Sequence, residues 1–161
     1  KTLQAENLEV IVSTLFESTR PVLFVPVRYT PQDNAANIVI AWNGSTQAIR
    51  AVTAALPILR HAAETARVWV LCEAGNDNKD YPVAPQALCD YLEWHGIKAE
   101  TVFTENKKLP TGEAILHECR QLQANMLVMG AYGHSRWHEI ILGGVTEYML
   151  NKADIPVFMA H

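Results

Sequence analysis

The sequence predicts an α/β fold, a three-layer sandwich around a five-stranded, mostly parallel sheet, and three observations predict it. From residue 37 onward short apolar runs alternate with segments of helical period, which is the pattern of βαβ units with right-handed crossovers. Most of the apolar runs are continuous rather than alternating, as strands covered on both faces are. Turn residues and helix caps punctuate the chain where one pattern gives way to the other.

The elements follow in order. Ile38-Val39-Ile40-Ala41-Trp42 reads as the first buried strand, Asn43-Gly44 as its turn, and Ser45 as the N-cap of a helix reaching about His61. Pro57 lies inside that helix and predicts a kink. Val68 to Cys72 is the second strand, and residues 75–81 are polar and loop-like. A helix from Ala84 to His95 ends on Gly96, a residue suited to the left-handed C′ position. Lys98 to Thr104 alternates as a third, partly exposed strand. Thr111 opens a helix to about Leu122, with Glu113 near its positive end. Met126 to Met129 is the fourth strand, ending at Gly130. A glycine-marked loop then leads to a helix from Gly144 to Asn151 and a fifth strand from Ile155 to Ala160.

The 161 residues suit one domain that can fold without staples, burying roughly 70% of its unfolded surface. A net charge of −4 and the lack of a basic run argue against a nucleic-acid partner, which binds through counterion release to positive charge. The three cysteines, Cys72, Cys89 and Cys119, are odd in number and scattered, so a disulfide framework is not expected and a reducing, cytoplasmic setting is. No apolar stretch approaches the roughly 18 residues of a membrane span, so no membrane partner is expected.

Residues 1 to 36 fall outside the alternating pattern. Glu9 to Ser18 is helical in period, and Arg20 to Val25 reads as a strand. Adding 135 to each number sets Val10 on Val145, Leu15 on Leu150, Pro21 on Pro156, Val22 on Val157, and Phe24 on Met159. The last helix and strand of the domain thus occur twice, which is the mark of an internal repeat. The expected organisation is a helix-strand tail of a preceding repeat (residues 1–27), a linker (28–36) rich in Pro, Asn and Asp, and the domain proper (37–161).

The strongest local motif is Gly130-Ala131-Tyr132-Gly133, nine residues, then Gly143-Gly144-Val145-Thr146. Gly130 ends a strand at the carboxyl edge, where open α/β sheets bind ligands, and Gly143-Gly144 opens a helix whose free N–H groups and dipole favour phosphate. This spacing resembles the universal stress protein family, whose ATP-binding members carry Gly-x-x-Gly, nine residues, then Gly-Ser or Gly-Thr. "IVIAWNGS" from Ile38 to Ser45 is similar to the family's first strand and turn, and "IPVFMAH" to its last strand. The likeness covers residues 37–161, and residues 1–27 resemble the tail of a preceding copy.

The resemblance implies an ATP or ADP site, with Mg²⁺ only alongside nucleotide, formed by Ala41, Trp42, Asn43, Gly130, Gly133, His134, Gly143, Gly144, Val145 and Thr146. It also implies no catalytic residues and self-association through the last strand, as a homodimer or a tandem pseudo-dimer. Pro21 to Val27 is accordingly expected to pair antiparallel beside Pro156 to Ala160. Two departures stand out. Asn43 replaces the family's Asp and loses its charge, and Gly144 replaces the final Ser or Thr and loses a hydroxyl while keeping a backbone N–H.

Other candidates have plainer readings. Ser45 lacks the second glycine of a nucleophile elbow and reads as a cap. His134 and His138 stand four apart but have no third ligand in motif spacing, so no metal site is expected. A non-nucleotide interaction scaffold of the same fold is the competing function. A nucleotide-hydrolysing or nucleotidyl-transferring enzyme finds no Walker lysine, carboxylate pair or activated nucleophile to support it.

Overall fold

The computed structural model describes residues 10, 11, 13–15, 20–31, 37–64, 66–73, 81–104, 108–131 and 143–161. Its strands are β1 (Val22–Phe24), β2 (Asn37–Ala41), β3 (Val68–Glu73), β4 (Ala99–Thr104), β5 (Ala124–Gly130) and β6 (Val157–Ala160). Its full helices are α1 (Thr46–Ala62), α2 (Pro85–Trp94), α3 (Thr111–Gln121) and α4 (Gly144–Lys152). Residues 10, 11 and 13–15 are also helical.

Among the described residues the sheet has six strands, in the order β1-β6-β5-β2-β3-β4. The five strands of the alternating pattern are all parallel, as expected. The sixth is β1, which joins β6 antiparallel with Val22 opposite Met159, Leu23 opposite Phe158 and Phe24 opposite Val157. The expected count of five is therefore corrected to six. The reason is the wholly buried β6: as a bare edge it would present unpaired N–H and C=O groups beside apolar side chains, and β1 covers them.

Strand pleating divides the core in two. Ile38, Ile40, Val68, Val70, Val128 and Phe158 face α1 and α2 through Ala48, Val52, Leu59, Leu88 and Leu92. Val39, Leu71, Leu127, Met129, Val157 and Met159 face α3 and α4 through Leu116, Cys119, Met149 and Leu150. Leu15, from the N-terminal helical residues, is buried in this second cluster. The result is the helix-sheet-helix sandwich that the sequence predicts.

Local chemistry explains the boundaries. The Ser45 hydroxyl accepts from the Ala48 N–H at 3.2 Å, the cap foreseen for α1. α1 continues through Pro57, which lies on the exposed side with Thr53. The Thr53 carbonyl has no proline N–H to accept from, and on that side water can take its place. α2 ends as expected on Gly96, at φ +77°, with Gly96 N–H donating to the Glu93 carbonyl (2.8 Å) and Ile97 N–H to the Leu92 carbonyl (3.0 Å). These are the two bonds of a Schellman motif, and the fully buried Leu92 and Ile97 seal it.

β5 starts two residues earlier than its apolar run, because Asn125 and Asn37 stitch its opening to β2. The Asn37 backbone N–H donates to Asn125 Oδ1 at 2.8 Å, and Asn37 Nδ2 donates to the Leu122 carbonyl at 2.9 Å. Polar residues there serve the backbone and leave no apolar signature.

Candidate functional site

The connectivity picks out one place in the sheet. From β2 the chain proceeds outward to β3 and β4, whereas β5 lies on the other side of β2 and leads outward to β6. The order therefore reverses between β2 and β5, and the crevice at their carboxyl ends is the topological switch point where open α/β sheets take ligands. Ala41 pairs with Met129 across this boundary. Trp42, Asn43, Gly130 and Ala131 thus emerge together, as the sequence motif required. α4 returns the chain from the carboxyl edge, where β5 ends, to the start of β6, so its N-terminus belongs to the same edge.

Each residue has its own local reason. The Asn43 side-chain oxygen accepts from the Ser45 N–H at 3.1 Å, an Asx turn that shapes the β2–α1 corner. Gly44 adopts φ +69°, and a Cβ there would meet Val83 N at 2.8 Å and Val83 O at 2.9 Å. The segment Pro82-Val83 therefore lies directly on this turn. Trp42 is 5% exposed and sits in the core beside Tyr81 and Leu88, with its Nε1–H donating to the Val83 carbonyl at 3.0 Å. The indole is held by the fold.

The glycines separate into two kinds. At Gly130 a Cβ would stand 2.6 Å from the Ala48 nitrogen, so its lack of a side chain lets the first turn of α1 lie against β5. Helix-strand packing thus gives the glycine at this position a structural reason of its own. Gly143 and Gly144 differ: among the described residues nothing lies within 4 Å of a Cβ at either position, and both are exposed. Gly143, at φ −56° and ψ 132°, has a backbone that any residue adopts, and neither glycine has positive φ. Among the described residues no side chain caps the helix, and Gly143 supplies its first carbonyl, to the Glu147 N–H at 3.0 Å. The N–H groups of the first turn have no intrahelical partner by geometry and point along the helix axis toward the carboxyl edge. Val145 is half-buried against the α4 cluster and Thr146 is 2% exposed, so both anchor the helix from beneath.

Gly133 and His134 lie outside the described residues, as does His138. Among the described residues no group of three His, Cys, Asp or Glu side chains is placed to hold a metal, and no helix is long and apolar enough to cross a membrane. All three cysteines are free and buried. Burial pushes the thiols of Cys72 and Cys119 up from 9.0 to about 12, which keeps both protonated and unreactive.

Two residues at this edge escape the sequence reading. His161 Nδ1–H donates to the Ala131 carbonyl at 3.1 Å, and Arg50 Nη1 donates to the His161 carbonyl at 3.2 Å. An imidazole and a guanidinium thus stand beside the end of β5. Their sequence separation, with no motif joining them, hides the meeting until the sheet is assembled.

Comparison with known proteins agrees with this architecture. The sequence pattern of the universal stress protein family matches residues 35–161. Universal stress protein Slr1230 of Synechocystis sp. is 25% identical over 158 residues, covering 94% of this chain and 49% of its own length. The chain therefore spans about half the length of that curated relative. A universal stress protein from Archaeoglobus fulgidus superposes with a TM-score of 0.70 at 20% identity, over 94% of this chain and 54% of that one. A universal stress protein solved in complex with cAMP gives a TM-score of 0.51 at 18% identity, over 78% and 97% of the respective chains. At these identities the two structures speak for the fold alone, but the family pattern spans both the switch point and the glycine-rich helix start. The chain belongs to the universal stress protein family.

Proposed function

We propose that this chain is a regulatory module that binds an adenine nucleotide, ATP or ADP, with its phosphates at the N-terminus of α4. The observation that carries the reading is the pair Gly143-Gly144. The described fold demands glycine there neither by backbone angle nor by crowding, so the missing side chains are best explained by something that approaches the backbone from outside. The helix dipole and the first-turn N–H groups favour an anion. The structural neighbour in complex with cAMP supports an adenine nucleotide as a ligand for this fold. Mg²⁺ would enter with the nucleotide, near Asn43. We assign no catalytic role to any side chain, and we place the module in the cytoplasm, self-associating through its last strand as a homodimer or tandem pseudo-dimer.

Calorimetric titration with ATP, ADP and cAMP, with and without Mg²⁺, tests the reading directly. Saturable one-site binding is expected, and no binding by any of the three overturns it. One observation favours the alternative, an interaction scaffold with a filled site: the Trp42 indole occupies the β2 end and is fixed to Val83. Mass spectrometry of the purified, denatured protein separates the two, because a scaffold carries over no nucleotide.

A further inference from the structure

The end of β5 is tied into the fold by a closed set of contacts. Ala131 carries the β5–β6 ladder one step past β5, its N–H donating to the Ala160 carbonyl at 2.8 Å. In a parallel ladder the carbonyl of such a residue accepts in turn from a backbone N–H of the neighbouring strand. Here the His161 ring takes that place, with Nδ1 3.1 Å from the Ala131 oxygen. A carbonyl cannot donate, so Nδ1 carries the proton. His161 is itself held from α1: Arg50, about one turn into that helix, donates from Nη1 to the His161 carbonyl at 3.2 Å. The start of α1 is fixed on β5 in its turn, because Gly130 leaves no room for a side chain beside Gln47 and Ala48.

This circuit leads to the start of α4. Ala131 is wholly buried, in the apolar cluster against which Val145 and Met149 of that helix pack. A shift of Ala131 along β6 therefore disturbs the packing beneath the N–H groups of the first turn. Ala131 is also where the chain leaves the sheet for the glycine-rich stretch of the motif.

We propose that His161 and Arg50 are positioning residues for the nucleotide site, an inference that rests on the function proposed above. Arg50 holds His161, the His161 ring holds Ala131, and Ala131 sets the seat of the α4 N-terminus. The test is calorimetric titration with ATP and ADP, well below the unfolding transition, with thermal unfolding of the same samples. His161→Ala is expected to weaken binding about fivefold, the factor that one hydrogen bond contributes. His161→Asn, whose amide N–H stands at the same remove from Cα as Nδ1–H, should restore affinity to within about twofold of the parent. Arg50→Ala should weaken binding about twofold, and the double variant should bind no more weakly than His161→Ala, because both act through one contact. Variants that lose stability but keep the parent's affinity overturn the proposal and leave these bonds a purely structural role. An Arg50→Ala loss that persists in full in the His161→Ala background overturns it in favour of direct contact between guanidinium and phosphate. A parent chain that binds neither nucleotide removes the site itself, and this assignment with it.

Discussion

A Cβ on Gly130 would stand 2.6 Å from the backbone nitrogen of Ala48, closer than any real contact of that kind. The end of β5 and the first turn of α1 are thus in backbone contact, with no flexible side chain to give way. Gly130→Ala is expected to destabilise the fold by ~1–3 kcal/mol through overpacking. Urea unfolding measures it; an unchanged midpoint would mean that α1 can shift freely, contrary to its cap and its burial.

Gly143 is expected to behave in the opposite manner. Among the described residues its surroundings are open and its φ is ordinary, so Gly143→Val should cost no more than about 1 kcal/mol, as a poorer N-cap does. Nucleotide affinity should nevertheless fall at least tenfold, because the new side chain stands where the phosphates approach. Thermal unfolding and calorimetry on one sample read both. A variant that binds as well as the parent removes α4 from the site.

Asn43→Asp keeps an oxygen able to accept from the Ser45 N–H, so stability should change by less than about 0.5 kcal/mol at this exposed position. The restored carboxylate can coordinate Mg²⁺ or its water shell more strongly than an amide. Mg²⁺-dependent ATP binding should therefore strengthen several-fold. Titrations that match the parent with and without the ion would take Asn43 out of metal-nucleotide recognition.

Trp42→Phe removes the donor to the Val83 carbonyl and leaves that oxygen without its partner. The expected loss is ~2–4 kcal/mol, from the unmet acceptor together with the smaller ring. Denaturant unfolding followed by circular dichroism would show it. A loss below about 0.5 kcal/mol would mean that the indole is not fixed by the core.

The buried thiols give a pH dependence of definite sign. In the folded chain the Cys119 thiol titrates at about 12, and when exposed by unfolding it returns toward 9.0. The raised folded value means that its contribution to stability is complete below pH 9 and is lost as pH rises from 9 toward 12. Comparing the parent with Cys119→Ala isolates this group from lysines and tyrosines that titrate nearby. The parent's unfolding midpoint should fall more steeply between pH 8 and pH 10.5; parallel profiles would contradict the burial.

The sequence by itself determined the layers of this protein and pointed to the place of its candidate site. Unbroken apolar runs can be satisfied only between two covering layers, so βαβ order and a parallel sheet followed from local pattern, as did the Ser45 cap and the Gly96 stop. The spacing from Gly130 to Thr146 marked the carboxyl edge because glycines and helix starts are local features. Tertiary structure decided what depends on distant partners. It showed that Gly130 answers to Ala48 and Gly143 to no described neighbour, a distinction invisible when both are simply glycines. It brought Arg50 and His161 to one edge, and it seated Trp42 on Val83 through a backbone carbonyl that no side-chain pattern encodes. It also fixed the register of β1 on β6. The repeat could suggest that pairing, but only the packing of Val22 and Phe24 on one face, with Leu23 left open on the other, could set it.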